Sequence, residues 1–542
     1  MLSGKKNQSP RYRPVTIRSE SPPDNAPGEA RAAARVGTGI FISRLFGFVR
    51  DRVFAHYFGA SDFADAWRAG LRMPNVVQNL LGEGTLSASL IPIYAELLEK
   101  GREEDAGRFA GAALGILTAV AGGLALLGVL LAPMLVGIFF PRWDPEKQAL
   151  TITLVRILFP MTGVLVISAW ALGILNSHRQ FFVAYVAPMF WNLAMIVAML
   201  GGAVYFGLSA QSRGLVLALA WGALVGGVLQ LAWQLPFVLR HRKGIRISLG
   251  RGVEGVRDAI ANFWPVVAAR GVVNISGWVD LILAGLLKSG AVAVMGFAQT
   301  LYVLPISLFG MSIAASELPE LSRMRGEAER VVADRVARSL RRVLYFLIPS
   351  TLAYIALGDI IVAALYETGE FGGVETLITW GVLAAYAIGL PASASSRVLS
   401  SAFYALRDTK TPARIAYLRV ATSIVVEITL MAPADRFGFE ALRLGAAGLA
   451  LGASAGAWLE YGLLRRALGR MIGIHGPGSH AVVRVSLAAA LATVTAVGLQ
   501  LRLPPAHPII LALETLVPFG VVFLSVTALL GVGTQWRRSA QA

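Results

Sequence analysis

From residue 33 onward the chain alternates between long apolar runs and short polar connections. A helix needs about 20 mostly apolar residues to cross the hydrocarbon of a bilayer. On that measure the pattern predicts fourteen spans, the first near 33–57, the second near 63–94, and the last two near 480–501 and 508–533. The expected fold class is therefore an all-α polytopic membrane protein with about 14 transmembrane helices. Residues 1–32 contain no apolar run and carry Lys5, Lys6, Arg11, Arg13 and Arg18 among several prolines. They read as a disordered cytosolic tail rather than a signal peptide.

The chain also compares with itself at an offset of about 230 residues. Pro74 answers Pro305, Ala88–Pro92 answers Ala315–Pro319, Phe159-Pro160 answers Leu390-Pro391, and Asp51 answers Asp280. This predicts two pseudo-symmetric six-span lobes, 33–250 and 251–470, followed by the last two spans in 471–542. Six is even, so the lobes share one orientation and their axis runs along the membrane normal. Gly448, Gly452 and Gly456 fall four apart in span 12 and predict a close helix-packing face.

Composition narrows the function. Hydrophobic residues make up 56% of the 542 and charged residues 15%, against roughly 25% charged in soluble domains. A soluble enzyme is excluded. Cysteine is absent, which removes disulfides, thiolate metal sites and thiol nucleophiles. No phosphate loop, serine-hydrolase elbow or HExxH motif occurs, and no loop is long enough to hold a catalytic domain. The expectation is a transporter, not an enzyme, with no organic cofactor. The net charge of +17 follows from topology. With fourteen spans, the loops on the N-terminal side carry 31 Lys/Arg and those on the other side 7, so both termini are predicted to be cytoplasmic. These charges meet anionic membrane lipids, and they call for no nucleic acid.

Ionisable groups within spans cost about 2.5–3.5 kcal/mol each on insertion scales and normally face protein or water. Span 2 carries Asp65, Arg68, Arg72, Asn75, Asn79 and Glu83 in steps of three and four, one helical stripe. Span 1 adds Ser43, Arg44, Arg50 and Asp51 on one broad face. One account is a pair of helices glued by salt bridges, Asp65 having helical spacing to Arg68 and Arg72. A buried pair rarely adds net stability over apolar packing, so the whole stripe points instead to a hydrated cavity. Guanidinium groups bind phosphate oxygens bidentately, and the inferred cargo is anionic and amphipathic. The second lobe offers fewer candidates: Arg270, with Asp280 and Asn274 as an oxygen-rich site of the Na⁺ type or a helix–helix hydrogen bond.

Ser43-Arg44-Leu45-Phe46-Gly47-Phe48-Val49-Arg50-Asp51, Phe58-Gly59-Ala60, Ala64-Asp65-Ala66-Trp67, Pro74-Asn75 and Glu83-Gly84 closely resemble the MurJ (MviN) lipid II flippases of the MOP exporter superfamily. The resemblance continues at Leu175-Asn176, Ala187-Pro188 with Asn192, Gly226–Gln230, and Phe403-Tyr404-Ala405 with Asp408–Pro412. It implies a fourteen-helix fold with a central cationic cavity in the cytoplasmic (inner) membrane of a bacterium. It further implies transfer of lipid II, the undecaprenyl-pyrophosphate-linked peptidoglycan precursor, to the outer leaflet by alternating access, and a groove for the lipid tail on spans 13 and 14. Ser43, Arg44, Arg50, Asp51, Asp65 and Glu83 carry over as functional positions. Na⁺ or H⁺ is the expected coupling ion, and cell-wall synthesis proteins are candidate partners. The chain departs from the family pattern at Gln78 and at Gln299-Thr300, where arginines are common. Arg68, Arg72 and Arg270 are the arginines available to compensate. The alternatives are an exporter of another undecaprenyl-linked glycan and a non-transporting scaffold that binds the precursor. An exporter of cationic drugs fits an arginine stripe poorly.

Overall fold

The computed structural model describes residues 26–532 except 242, 325–328, 437–443 and 505. Among the described residues every regular element is helical, and Thr368 and Phe371 make one isolated bridge. The first half comprises α1 (Ala26–Phe58), α2 (Asp62–Leu81), α3 (Glu83–Ser89), α4 (Ile91–Glu99), α5 (Glu103–Phe139), α6 (Pro145–Ser177), α7 (Phe181–Val186), α8 (Pro188–Tyr205) and α9 (Arg213–Leu239). The second half comprises α10 (Val256–Gly285), α11 (Ala291–Pro305), α12 (Ser312–Arg323), α13 (Glu329–Ala356), α14 (Gly358–Tyr366), α15 (Gly373–Ile388), α16 (Leu390–Ala405), α17 (Lys410–Arg436) and α18 (Gly445–Ile472). A hairpin of α19 (Ser479–Gln500) and α20 (Pro508–Leu529) follows and packs on α13 and α14.

Helix starts follow local chemistry. Ser61, Asp144 and Ser212 cap α2, α6 and α9, each side chain accepting from the backbone N–H three residues on. Proline explains most of the breaks. The stretch read as one span over 63–94 is three helices, interrupted at Gly82 and at Leu90, two residues before Pro92. Pro188 opens α8, Pro391 lies in the first turn of α16, and Pro305 ends α11 into a π-helical turn over Ile306–Met311. Proline removes one N–H and crowds the preceding turn, so the helix restarts or widens there.

Eight described helices are long and apolar enough to span alone, and ten if each bent pair is one span: α13 with α14 at 79° and α15 with α16 at 41°. The expected fourteen is thus not reached on this measure. α1, α2, α10 and α18 are each 20 residues or longer but carry polar and charged residues through their length. Outward faces of α5, α19 and α20 expose Leu126, Leu130, Leu487, Leu513 and Val521, the belt a bilayer covers.

Two close backbone approaches organise the interior. A Cβ on Gly448, Gly452 or Gly456 of α18 would fall 2.1–2.9 Å from α17 atoms of Leu430, Glu427 and Ser423. The three glycines therefore form the packing face expected of them. The connection between the halves runs along α5. Cβ atoms on Gly107, Gly111 and Gly115 would lie 1.9, 2.2 and 2.1 Å from the carbonyl oxygens of Lys243, Arg246 and Ser248. Lys243 bonds Glu103 at 2.8 Å and Arg102 bonds Glu254 at 2.6 Å, fastening this strap at both ends.

Candidate functional site

α1, α2, α10 and α11 surround a cavity of about 690 Å³. Arg44, Arg50 and Asp51 reach it from α1, and Arg68, Arg72 and Asn75 from α2. The facing wall carries Asp280 from α10, Gln299 and Thr300 from α11, and Ser307 from the π turn. The one-sided periodicity of α2 places its three members there, because residues three and four apart share a helix face. Room for the guanidiniums comes from the opposite helices. A Cβ on Gly296 of α11 would meet Arg68 atoms at 2.9–3.1 Å, and one on Gly277 of α10 would meet Arg72 Nη2 at 2.0 Å.

The arginines differ in how they are held. Arg50 donates to Asp51 Oδ1 at 2.7 Å and to Asn192 Oδ1 at 2.9 Å, and lies 5.5 Å from the Trp191 ring. Asn192 is fixed in turn by donating to Pro188 O at 3.0 Å. Arg44 is exposed at the far end and donates to Ser307 Oγ at 3.4 Å. The Arg68 guanidinium sits between the rings of Phe54 and Phe297, at 5.4 and 4.8 Å, and its Nε and Nη2 are buried without a hydrogen-bond acceptor. It contacts α11 at Gly296, one turn before Thr300. An arginine on α2 thus covers the stretch of α11 that lacks one. Asp280 is within electrostatic reach of Arg72 and Arg419.

Other expected site residues lie elsewhere. Asp65 belongs to a separate structure at the end of the molecule that carries the α1–α2 and α10–α11 turns. It is 1% exposed and accepts from Lys147 Nζ, Gly290 N and Ala293 N, each at 2.8 Å. Its carboxylate caps the N-terminus of α11, where free N–H groups and the helix dipole favour an anion. The expected Asp65–Arg68 and Asp65–Arg72 pairs are replaced by this arrangement, because Lys147 from α6 and two backbone amides already fill the carboxylate. Gly290 has φ +87°, and a Cβ there would strike Ala60 O at 2.3 Å, so the turn requires glycine. Ser43 and Asn79 are not among the described residues lining the cavity. The side chains of Glu83, Arg270 and Asn274 fall outside the described residues. Among the described residues, no group of three or more His, Asp or Glu is placed to hold a metal.

More bonds close the same end. Lys147 also binds Asp62 at 2.6 Å, and Ser289 donates to Asp62 at 2.7 Å. Arg52 donates to the carbonyls of Ala364 and Leu365 at 2.7 and 2.9 Å. Gln211 donates to Glu370 at 2.8 Å, and Glu370 N to His56 O at 2.9 Å. Trp143 Nε1 donates to Gly285 O at 2.9 Å. Sequence reasoning missed Lys147, Arg52, Trp143, Gln211 and Glu370. Lys147 lies in the first turn of α6, and Trp143, Gln211 and Glu370 lie in short turns, where such residues are ordinary and carry no periodic signal, and Arg52 is a lone extra charge in the last third of α1.

The model of the family described as "Lipid II flippase MurJ" matches residues 54–512. The chain belongs to the MurJ family. A probable lipid II flippase MurJ of Rhizobium tropici is 33% identical over 436 residues, 78% of each chain. The lipid II flippase MurJ of Burkholderia cenocepacia is 30% identical over 454 residues, 82% of this chain and 85% of that one. A solved MurJ structure in an inward closed conformation superposes with a TM-score of 0.74 at 22% identity, covering 91% of this chain and 98% of that one. An inward-facing multidrug MATE transporter of the MOP superfamily superposes at 0.62 and 16% identity, covering 84% and 98%. The chain thus shares its fold with this MATE transporter as well, and membership of a flippase family makes it a membrane transporter.

Proposed function

We propose that this chain flips lipid II from the cytoplasmic to the outer leaflet of the bacterial inner membrane. The observation that carries this reading is the cavity itself. In a chain of the MurJ family, four arginines from α1 and α2 converge on one chamber whose facing wall is opened by Gly277 and Gly296. Guanidinium groups with free donors on the wall of a chamber suit a diphosphate.

The charge balance of the loops supports placing both termini in the cytoplasm, which makes the end fastened by Asp65 the outer end. The structure is then closed to the outside. The head group enters from the cytoplasmic side, where Arg44 stands, and its diphosphate meets Arg44 and Arg50. Arg68, on α2, takes the role of the arginine that Thr300 does not supply. The residues up to 250 and those of 251–470 act as two lobes that rock. Opening outward breaks the Asp65 bonds to the α11 amides while the lipid tail stays in the bilayer, along α19 and α20. Coupling to Na⁺ or H⁺ belongs to the same proposal, with Asp280 as the carboxylate on the cavity wall, as does association with cell-wall synthesis proteins.

The test is replacement. Expressed in a bacterium whose own flippase is shut off, the chain restores wall synthesis, and Arg44→Ala with Arg50→Ala abolishes the rescue at equal membrane abundance. Absence of rescue by well-expressed wild type overturns the assignment. Rescue that survives both substitutions leaves a scaffold.

A further inference from the structure

α13, the first turns of α19 and the chain just past α20 enclose a second cavity, of about 120 Å³, remote from the first. Its lining is of two kinds. Arg338, Arg341 and Arg342 stand on one face of α13 and are cationic. Tyr345, one turn on, and Val482 and Val485 of α19 supply the largely apolar part. Tyr345 is fixed there by Thr527, 3.2 Å away, and by the Phe523 ring at 5.3 Å.

The three guanidiniums have few partners. Arg341 donates to Pro477 O at a long 3.5 Å. Arg342 lies 3.7 Å from Glu317, a carboxylate that Arg335 already binds at 2.7 Å. Arg338 is exposed, takes part in no ion pair among the described residues, and has Asp334 one turn before it. Holding three cations together costs free energy through mutual repulsion unless an anion joins them. The surroundings specify the kind of anion. The neighbouring α19 side chains Val483 and Leu487 are 54% and 60% exposed and face the lipid belt. The start of α13 lies on the N-terminal side of the membrane, where the loop arginines and lysines gather. Cationic rim, apolar floor and an opening at the boundary of water and hydrocarbon match a phospholipid head with the root of its acyl chain. At about 120 Å³ the cavity itself admits a phosphate group, with the rest of the lipid lying outside along the exposed α19 face, and it is too small for a glycan head group.

We propose that this cavity binds an anionic phospholipid of the cytoplasmic leaflet. Its phosphodiester sits on Arg338, Arg341 and Arg342, and an acyl chain lies on Tyr345, Val482 and Val485. Binding adds to the contact of α13 with the α19–α20 hairpin, which also meet through a small apolar cluster and the Tyr345–Thr527 bond.

The test uses the purified full chain in detergent, titrated with short-chain phosphatidylglycerol, phosphatidylcholine, inorganic phosphate and undecaprenyl diphosphate. Binding is read by native mass spectrometry and by the shift in melting temperature. Phosphatidylglycerol binds at least roughly tenfold more tightly than phosphatidylcholine, given about 1 kcal/mol per interfacial cation. R338Q/R341Q/R342Q removes that preference, and the charge-matched control R246Q/R251Q/R257Q, at three exposed arginines, keeps it. Val485→Trp fills the floor and weakens phosphatidylglycerol severalfold with the arginines intact. Equal binding of the two phospholipids overturns the proposal, as does equal loss in the control. Inorganic phosphate binding as tightly leaves only a free-anion site. Undecaprenyl diphosphate displacing phosphatidylglycerol at equal concentration assigns the cavity to the carrier lipid instead. If the triple variant does not fold, unchanged phosphatidylglycerol binding by Val485→Trp overturns the proposal.

Discussion

α2 presents charge to the rest of the molecule twice, and the two places behave oppositely. In its first turn, Asp65 accepts from an ammonium and two backbone amides, and both carboxylate oxygens are engaged. One turn further on, the Nε and Nη2 of Arg68 are also removed from solvent, yet between two aromatic rings they find no hydrogen-bond acceptor. The same helix therefore carries one saturated ion and, on the cavity wall, one unsaturated ion. A saturated buried ion holds two protein surfaces together. An unsaturated one keeps its hydrogen-bonding capacity for something that arrives later, and the fold bears the cost until then.

The contrast is broken most forcefully at Asp65. Asp65→Asn leaves the Lys147 ammonium with the half-exposed Asp62 as its one carboxylate partner and weakens the cap on α11. Breaking one side of a buried pair costs about 3–5 kcal/mol, so the melting temperature falls. The end that carries the α1–α2 and α10–α11 turns also loosens. The chain has no native cysteine, so spin labels at Ser209→Cys and Val374→Cys report the widening directly. An unchanged distance and melting temperature would show that the Asp65 bonds do not hold the halves.

Arg68→Met predicts the reverse sign. Exchanging a buried unsatisfied cation for an apolar side chain of similar length is neutral or stabilising by about 1–4 kcal/mol. Lipid II binding nevertheless falls, by roughly tenfold or more for the loss of a charged hydrogen-bond donor. Parallel melting and binding measurements separate the two, and a variant that loses both together contradicts the assignment. Gly296→Ala sharpens the same point more gently. The added methyl presses on Arg68 and costs under about 1–3 kcal/mol. In an Arg68→Met background that cost shrinks, and a double-mutant cycle measures the difference.

The smallest effect lies away from both places, where α6 and α9 end. His178 and His241 stack with ring centres 3.7 Å apart, and His178 Nε2 lies 3.0 Å from the Tyr94 hydroxyl. Burial, with the neighbouring ring as a second cause, holds His178 below its usual 6.5. Burial, then Arg240, does the same for His241. A depressed histidine favours the neutral form in the fold. Its contribution is therefore fully present above 6.5 and is lost as the pH falls from there toward the folded value. Both rings are partly solvated, so the loss stays below about 1 kcal/mol. Melting curves from pH 8 to 5, with His178→Gln as the control that flattens the slope, check it. The Asp65 contacts should not register this change.

How far these features were legible in the chain depends on period. The apolar runs and the polar stripe of α2 repeat along a helix, and repetition is visible without coordinates. The spacing of Gly448, Gly452 and Gly456 was legible for the same reason. The breaks in the spans at Gly82, Pro188 and Pro391 were not, since membrane helices often tolerate such residues when neighbours satisfy the freed backbone. The partition of the stripe was hidden as well. Whether Asp65 serves the cavity or the α10–α11 turn depends on Lys147, 82 residues away, and on amides at the start of α11. Gly277 and Gly296 matter because of what stands opposite them, and a glycine in a membrane helix has no such address written in its neighbours.

The strap along α5 sets the mechanics of any rocking motion. Because residues 243–248 lie in a glycine groove of the first half, they travel with it as cargo rather than stretch. Only the few residues between Ser248 and Val256 remain as slack, at most about 3.4 Å each, and the ion pair of Arg102 with Glu254 shortens even that. The pivot is thereby confined to the foot of α10, and a rotation about that point sweeps the distant turns apart while hardly disturbing the end that holds the strap.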